Sequence, residues 1–254
     1  PDWEKFKHTT AIEDLIRLED GMAFATVRFS FPSATRLPSL PVRHSDGLFY
    51  PLTGETTVTG AELLVALQQG AKIEILQGIF IPWSTGEYRP LLSFTQRIQK
   101  IRQDEVKGSL RERAAKEIGN SLYGKFAQAV SGMRMGGRAS RTFDSRTGRD
   151  QEIPASSITQ PCIAAWITGI CRAVVSEMLA HLPDSAVVCS VTTDGLLSSI
   201  PLSELDTSSP LCSYFMAFRE LAAPGSEAFE GKHVVRRAFI LRTRGALTID
   251  TDTP

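Results

Sequence analysis

No two cysteines stand at C-x-x-C spacing, and no two histidines form an H-x-x-x-H or H-E-x-x-H pattern. The cysteines (Cys162, Cys171, Cys189, Cys212) are scattered, and the first three lie in apolar surroundings. They read as buried free thiols of a reducing compartment, which argues against a disulfide frame and against a zinc site. No uninterrupted apolar run approaches the ~20 residues of a membrane span, so no membrane partner is expected. The opening PDWEKFKHTT has no apolar h-region and no cleavage motif, unlike a secretory signal. A starting Met is missing too, so the chain reads as a piece of a longer one. Net charge is likewise absent, with 28 Lys and Arg against 28 Asp and Glu. The 254 residues, 42% apolar and 22% charged, suit a soluble protein with a real core. One large domain or two joined ones are expected.

The zero balance hides a segregation. Between Gln96 and Arg149 there are thirteen basic residues and five acidic ones, so this stretch is at +8 and the remainder at −8. A basic block in an otherwise acidic chain suggests a polyanionic partner. A solvated basic face is the plainer alternative.

Within that block lies Ala114 to Gln128, AAKEIGNSLYGKFAQ. As a helix it places Lys116, Asn120 and Tyr123 on one face (i, i+4, i+7) and Ala115, Ile118, Leu122 and Phe126 on an apolar stripe. A cation, an amide and an aromatic in a row suit a nucleotide: phosphates, donor contacts and a flat base. Leu91, Phe94, Ile98 and Ile101 give the preceding helix, Pro90 to Gln103, its apolar side. Lys107-Gly108-Ser109 is a turn, with Ser109 as the cap of the motif helix. The two helices form a basic hairpin.

The flanking elements point to α+β. A helix is expected within residues 3–18, capped at Thr9 or Thr10, followed by an alternating strand at 22–32. Pro38 to Pro41 is extended, Gly47 to Leu52 a short strand, and Thr53-Gly54-Glu55 a turn. Thr59 caps a helix over 61–69, with Glu62 in its first turn, and a strand runs over 71–81. Beyond Gln128, a glycine-rich basic segment suits either a track for a phosphate backbone or a surface loop. An almost wholly apolar helix follows Pro161, and Arg172 inside it needs a carboxylate or carbonyl partner. Two short apolar runs then flank Thr192-Thr193-Asp194-Gly195, a turn presenting one carboxylate. A helix within 205–221 and a strand over 234–249 complete the chain.

The run Lys116-x3-Asn120-Ser121-x-Tyr123-Gly124 resembles the fingers-helix signature of family B DNA polymerases. Other stretches are similar to that family in the same order: an I-T-x-x-x-R helix ending at Arg172, a Y-x-D-T-D-S turn matched by Ser190 to Gly195, and a basic segment at Arg242-Thr243-Arg244. The resemblance implies an α+β palm, with an antiparallel sheet packed on helices, interrupted by a two-helix fingers hairpin. Residues 1–89 and 131–254 would be palm and 90–130 fingers. It implies transfer of a deoxynucleotide to a primer 3′-hydroxyl. Lys116, Arg102, Asn120 and Tyr123 would hold the dNTP, with Arg97 and Lys100 as fallbacks for Arg102. Gly119 and Gly124 would allow close approach, and Gly124, Arg242 and Arg244 would touch the primer–template DNA. Asp194 would be the catalytic, metal-binding carboxylate of a two-Mg²⁺ site.

Two departures stand out. Thr192 and Ser190 occupy the places of the family's first aspartate and leading tyrosine. The D-x-x-S/G-x-Y-P strand that should supply the partner aspartate is missing, since Asp2, Asp14, Asp20 and Asp46 all lack Tyr-Pro at that spacing. An upstream segment or companion chain is therefore implied, in the cytoplasm of a bacterium or phage-infected cell. The alternatives are a non-catalytic nucleic-acid-binding module of polymerase descent and a reverse-transcriptase-like enzyme.

Overall fold

The computed structural model describes residues 1–45, 47–84, 89–129, 141–192, 195–226, 229–242 and 245–252. Two compact units divide the chain. One comprises Pro1–Tyr88, Gly169–Glu220 and Pro224–Pro254; the other comprises Arg89–Thr168 and Leu221–Ala223. The architecture is α+β with antiparallel sheets, as expected.

The first unit begins with β1 (Lys7–His8), α1 (Ile12–Leu15), β2 (Gly21–Ser30), β3 (Val42–His44), β4 (Gly47–Phe49), β5 (Thr53–Thr59), α2 (Gly60–Gln68) and β6 (Lys72–Pro82). One sheet has the order β1-β6-β2-β5, all antiparallel. Its inner face follows the alternation of β2: Ala23, Ala25, Val27 and Phe29 are buried with Leu15, Leu40 and Leu63. Its outer face is polar. Thr26 and Thr57 share a 2.9 Å hydrogen bond, and Arg28 reaches Glu74 at 2.7 Å and Glu55 at 3.3 Å.

Two local expectations fail here for the same reason, which is pairing across the sheet. The helix expected within residues 3–18 shrinks to the single turn α1. Lys7 and His8 pair with Phe80 and Ile79, and the Thr9 N–H donates to the Gly78 carbonyl, so those backbone groups are not available to a helix. Thr53-Gly54-Glu55 is no turn but the start of β5, held by β2. The short strand expected from Gly47 is present as β4, and it pairs with β3 across a tight hairpin.

α2 starts on a capping box, in which the Thr59 N–H and hydroxyl both donate to Glu62 Oε2 at 2.9 Å. Glu62 is only 1% exposed, and its other oxygen accepts Arg172 Nε at 2.8 Å. The half-buried arginine thus has the carboxylate partner it required. Gly60 and Gly169 keep this region tight. A Cβ at Gly60 would lie 2.1 Å from the Leu15 carbonyl oxygen, and one at Gly169 would lie 2.3 Å from Thr59 Cγ2.

In the second unit, α3 (Leu92–Asp104) and α4 (Leu110–Phe126) form the helical hairpin, followed by the exposed β7 (Arg141–Asp144) and β8 (Arg149–Glu152). α5 (Pro161–Ala180) passes from this unit into the first. By length and composition it could cross a membrane, which no stretch was expected to do. Its buried run from Ala173 to Leu179, the Arg172–Glu62 ion pair and the hydrogen-bonded Glu177 mark it as a core helix.

Next come β9 (Val188–Val191), β10 (Leu196–Ser198), α6 (Pro210–Ala222), β11 (Val234–Arg242) and β12 (Gly245–Asp252). Glu177 of α5 caps α6. It accepts the Ser209 hydroxyl at 2.6 Å and the N–H groups of Cys212 at 2.9 Å and Leu211 at 3.3 Å. The single strand expected over 234–249 is two, β11 and β12, paired antiparallel from Val234↔Asp252 to Arg242↔Gly245. Gly245 after a basic run is the sequence signal for that reversal.

Candidate nucleotide site

Ser109 caps α4 by accepting the Glu112 N–H at 3.2 Å. From there the helix exposes Lys116, Asn120, Tyr123 and Gly124, the first three on one face. Ser121 turns back to its own helix, donating to the Glu117 carbonyl at 2.7 Å. The apolar stripe is not the one expected. Ala115 and Phe126 are buried, but Ile118 is 53% exposed. Gly119 takes its place: a Cβ there would lie 3.2 Å from Ile98 Cγ2 of α3, whereas one at Gly124 would meet nothing within 4 Å. So the close approach at Gly119 serves helix packing, and Gly124 alone leaves open space on the helix surface.

The far end of α4 is clasped by residues 154–160. Lys125 O accepts the Ser156 hydroxyl at 3.0 Å, Phe126 O accepts the Gln160 N–H at 3.0 Å, and Gln128 O accepts the Thr159 hydroxyl at 3.3 Å. These satisfy the carbonyls that a helix end leaves open. They also fix the last turn, which carries Tyr123.

Arg102 sits at the end of α3 with its Nε 3.2 Å from Glu112 Oε1. Glu112 is a residue that motif reasoning missed. It lies one turn before Lys116, and an acidic residue at the third position after a serine cap was its signal. Its carboxyl is held below the usual range, chiefly by the Gly108 N–H and then by Arg102 and Lys116. Arg97 and Lys100 are exposed.

The carboxylate turn is framed by β9 and β10, whose register pairs Leu196 with Val191. Thr193 and Asp194 lie outside the described residues, as does Asp46. Thr192 closes the turn. Its N–H donates to the Gly195 carbonyl at 2.8 Å and its hydroxyl to the same oxygen at 3.2 Å. The threonine in the place of an aspartate is thus spent on turn geometry.

Beside it is a cavity of about 230 Å³, lined by Arg36, Tyr50, Arg172, Val175, Val191 and Thr192 among others. Burial pushes the Tyr50 phenol up, against a smaller lowering by Arg172. Tyr50-Pro51 does follow Asp46, but one residue too close for the D-x-x-S/G-x-Y-P pattern and across the β3–β4 hairpin. Arg242 ends β11, and Arg244 lies outside the described residues.

Among the described residues no three His, Cys, Asp or Glu side chains gather as metal ligands. They do not by themselves fit a Mg²⁺ ion, which wants several hard oxygens.

No family model matches the chain. Its sequence is 43% identical over 238 residues to the primer-independent DNA polymerase PolB of Escherichia coli. The chain is homologous to part of a DNA polymerase. The match covers 89% of this chain and 26% of that enzyme, so the chain spans about a quarter of its relative's length. The resemblance to family B polymerases is thereby one of nearly the whole sequence, not of two motifs. Among solved structures, phi29 DNA polymerase with primer-template DNA and incoming nucleotide gives a TM-score of 0.47 at 15% identity, covering 69% of this chain and 31% of that one. The same polymerase with single-stranded DNA gives 0.44 at 14% identity, covering 69% and 30%.

Proposed function

We propose that this chain is the palm and fingers part of a template-directed DNA polymerase. The observation that carries the reading is the α4 face: Lys116, Asn120 and Tyr123 stand exposed in a row, next to the flank where Gly119 packs on Ile98 of α3. Residues 90–130 act as the fingers, and 1–89 and 131–254 as the palm. Lys116 and Arg102 neutralise the triphosphate, and Asn120 and Tyr123 lie near the nascent base pair. Gly124, Arg242 and Arg244 lie along the primer–template. Phosphoryl transfer depends chiefly on positioning and charge stabilisation, so few residues suffice. A divalent metal such as Mg²⁺ would steady the developing charge. Asp194 would supply one oxygen ligand, and a carboxylate from an upstream segment or companion chain the other.

The test is extension of a labelled primer by the full native protein with Mg²⁺ and dNTPs. Asp194→Ala abolishes extension, while Lys116→Ala raises the dNTP KM about tenfold with a smaller loss in kcat. Wild-type rates in the Asp194→Ala protein sink the assignment. Running DNA and RNA templates side by side separates a reverse transcriptase, and omitting the primer asks whether this protein shares its relative's primer independence.

A second reading is a DNA-binding module without catalysis. Thr192, bonded to Gly195 instead of offering a carboxylate, favours it. Template binding without extension, with the upstream segment present, decides for it.

A further inference from the structure

Glu112 stands between the two cations offered to phosphate. It is 8% exposed, in the first turn of α4. One oxygen accepts Arg102 Nε at 3.2 Å and the other accepts the Gly108 N–H at 3.3 Å. Lys116 is one turn further along the same helix. A carboxylate meant only to neutralise Arg102 would take two guanidinium N–H groups at once. Here the grip is through Nε alone. Both Nη groups of Arg102 and the Lys116 Nζ have no hydrogen-bond partner among the described residues, and Lys116 feels Glu112 only through its charge. A guanidinium held by Nε keeps its Nη fork for a planar or tetrahedral oxyanion. An arginine already fixed also loses less rotamer freedom when an anion arrives.

We propose that Glu112 is a positioning residue for the incoming nucleoside triphosphate, holding Arg102 side-on so that its Nη fork and the Lys116 ammonium meet the same phosphate tail. This rests on the nucleotide reading above. Two effects of Glu112 oppose each other. Its negative charge repels phosphate, while its grip orients the arginine. The inference is that orientation wins, which fixes the sign of the test.

Steady-state extension by the full native protein is measured for wild type, Glu112→Gln, Arg102→Lys and the double variant, with a melting curve for each. Glu112→Gln keeps the shape and an acceptor oxygen but loses the charge-assisted grip. It raises the dNTP KM roughly fivefold with kcat within about twofold. Arg102→Lys keeps the charge, loses the fork and raises KM at least as much. The double variant is no worse than Arg102→Lys alone, because both remove one arrangement.

A KM that is unchanged or lower in Glu112→Gln overturns the proposal. So do losses that multiply in the double variant, or a fall in melting temperature and kcat with KM intact, which marks a mere brace of the hairpin. A wild-type protein that extends no template overturns the nucleotide reading itself, and this inference with it.

Discussion

The β1-β6-β2-β5 sheet and the α3–α4 hairpin bury different things. Under the sheet, Leu15, Val27, Leu40 and Leu63 are sealed completely. In the hairpin the buried side chains are Ile98, Ala115, Phe126 and the carboxylate Glu112. The sheet is held by apolar area, and its Gly21 and Gly78 are jammed against backbone carbonyls. The hairpin is held by the close approach of Gly119 to Ile98, the Arg102–Glu112 and Arg111–Glu105 pairs, a serine cap and a clasp of hydroxyls, and Gly124 borders open space. The difference teaches where each unit can tolerate change. A surface meant to meet a ligand cannot also be spent on a core.

That contrast can be broken by substitution. The largest effect is expected at Gly60→Val, whose new carbons have nowhere to go beside the Leu15 carbonyl. It should cost about 3 kcal/mol or more of stability, and a urea midpoint equal to wild type would remove the claim that this corner is jammed. Glu177→Ala comes next. It leaves the α6 cap groups Leu211 N, Cys212 N and the Ser209 hydroxyl buried without an acceptor, for about 2 kcal/mol. Chemical denaturation measures it, and a loss under a few tenths would mean water replaces the carboxylate.

Gly124→Ala should go the other way, gaining roughly 0.5 kcal/mol because the helix there prefers alanine and nothing is in its path. If Gly124 lies against DNA, the same variant weakens primer–template binding while its melting point rises. Binding unaltered in that stabler protein would take Gly124 out of the DNA contact.

The smallest effect is a slope. The Glu112 carboxyl titrates below its unfolded value. Its contribution is therefore present above the ordinary glutamate range and is lost as pH falls through the depressed folded value. Acid unfolding of Glu112→Gln should be shallower than wild type over that window, and superimposable curves would show that the pairing does not stabilise the fold.

Local rules read well wherever a residue answers to its own neighbours in sequence. Thr59 with Glu62, Ser109 before α4, the alternation of β2 and the hairpin around Thr192 and Gly195 are of this kind. Where a distant strand supplies the partner, they fail. TGETTVT has turn composition, and only the register with β2 makes it β5. Lys7 and His8 were drawn from a helix into β1 by β6. On α4 the amphipathic pattern marked Ile118 as core, because it counts side chains and cannot see that a glycine buys closer helix packing. The exposed row of Lys116, Asn120 and Tyr123 was legible as a motif. The buried Glu112 behind them was not, since a first-turn acid is so often no more than a cap.

The Thr192–Gly195 closure has a practical consequence. Among the described residues, Thr192 closes this turn with its N–H and its hydroxyl, both donated to the Gly195 carbonyl. An Asp194→Asn protein should therefore melt at the parent's temperature. If the proposed function holds, it would be the natural bait for trapping this chain on DNA and an unreacted nucleotide.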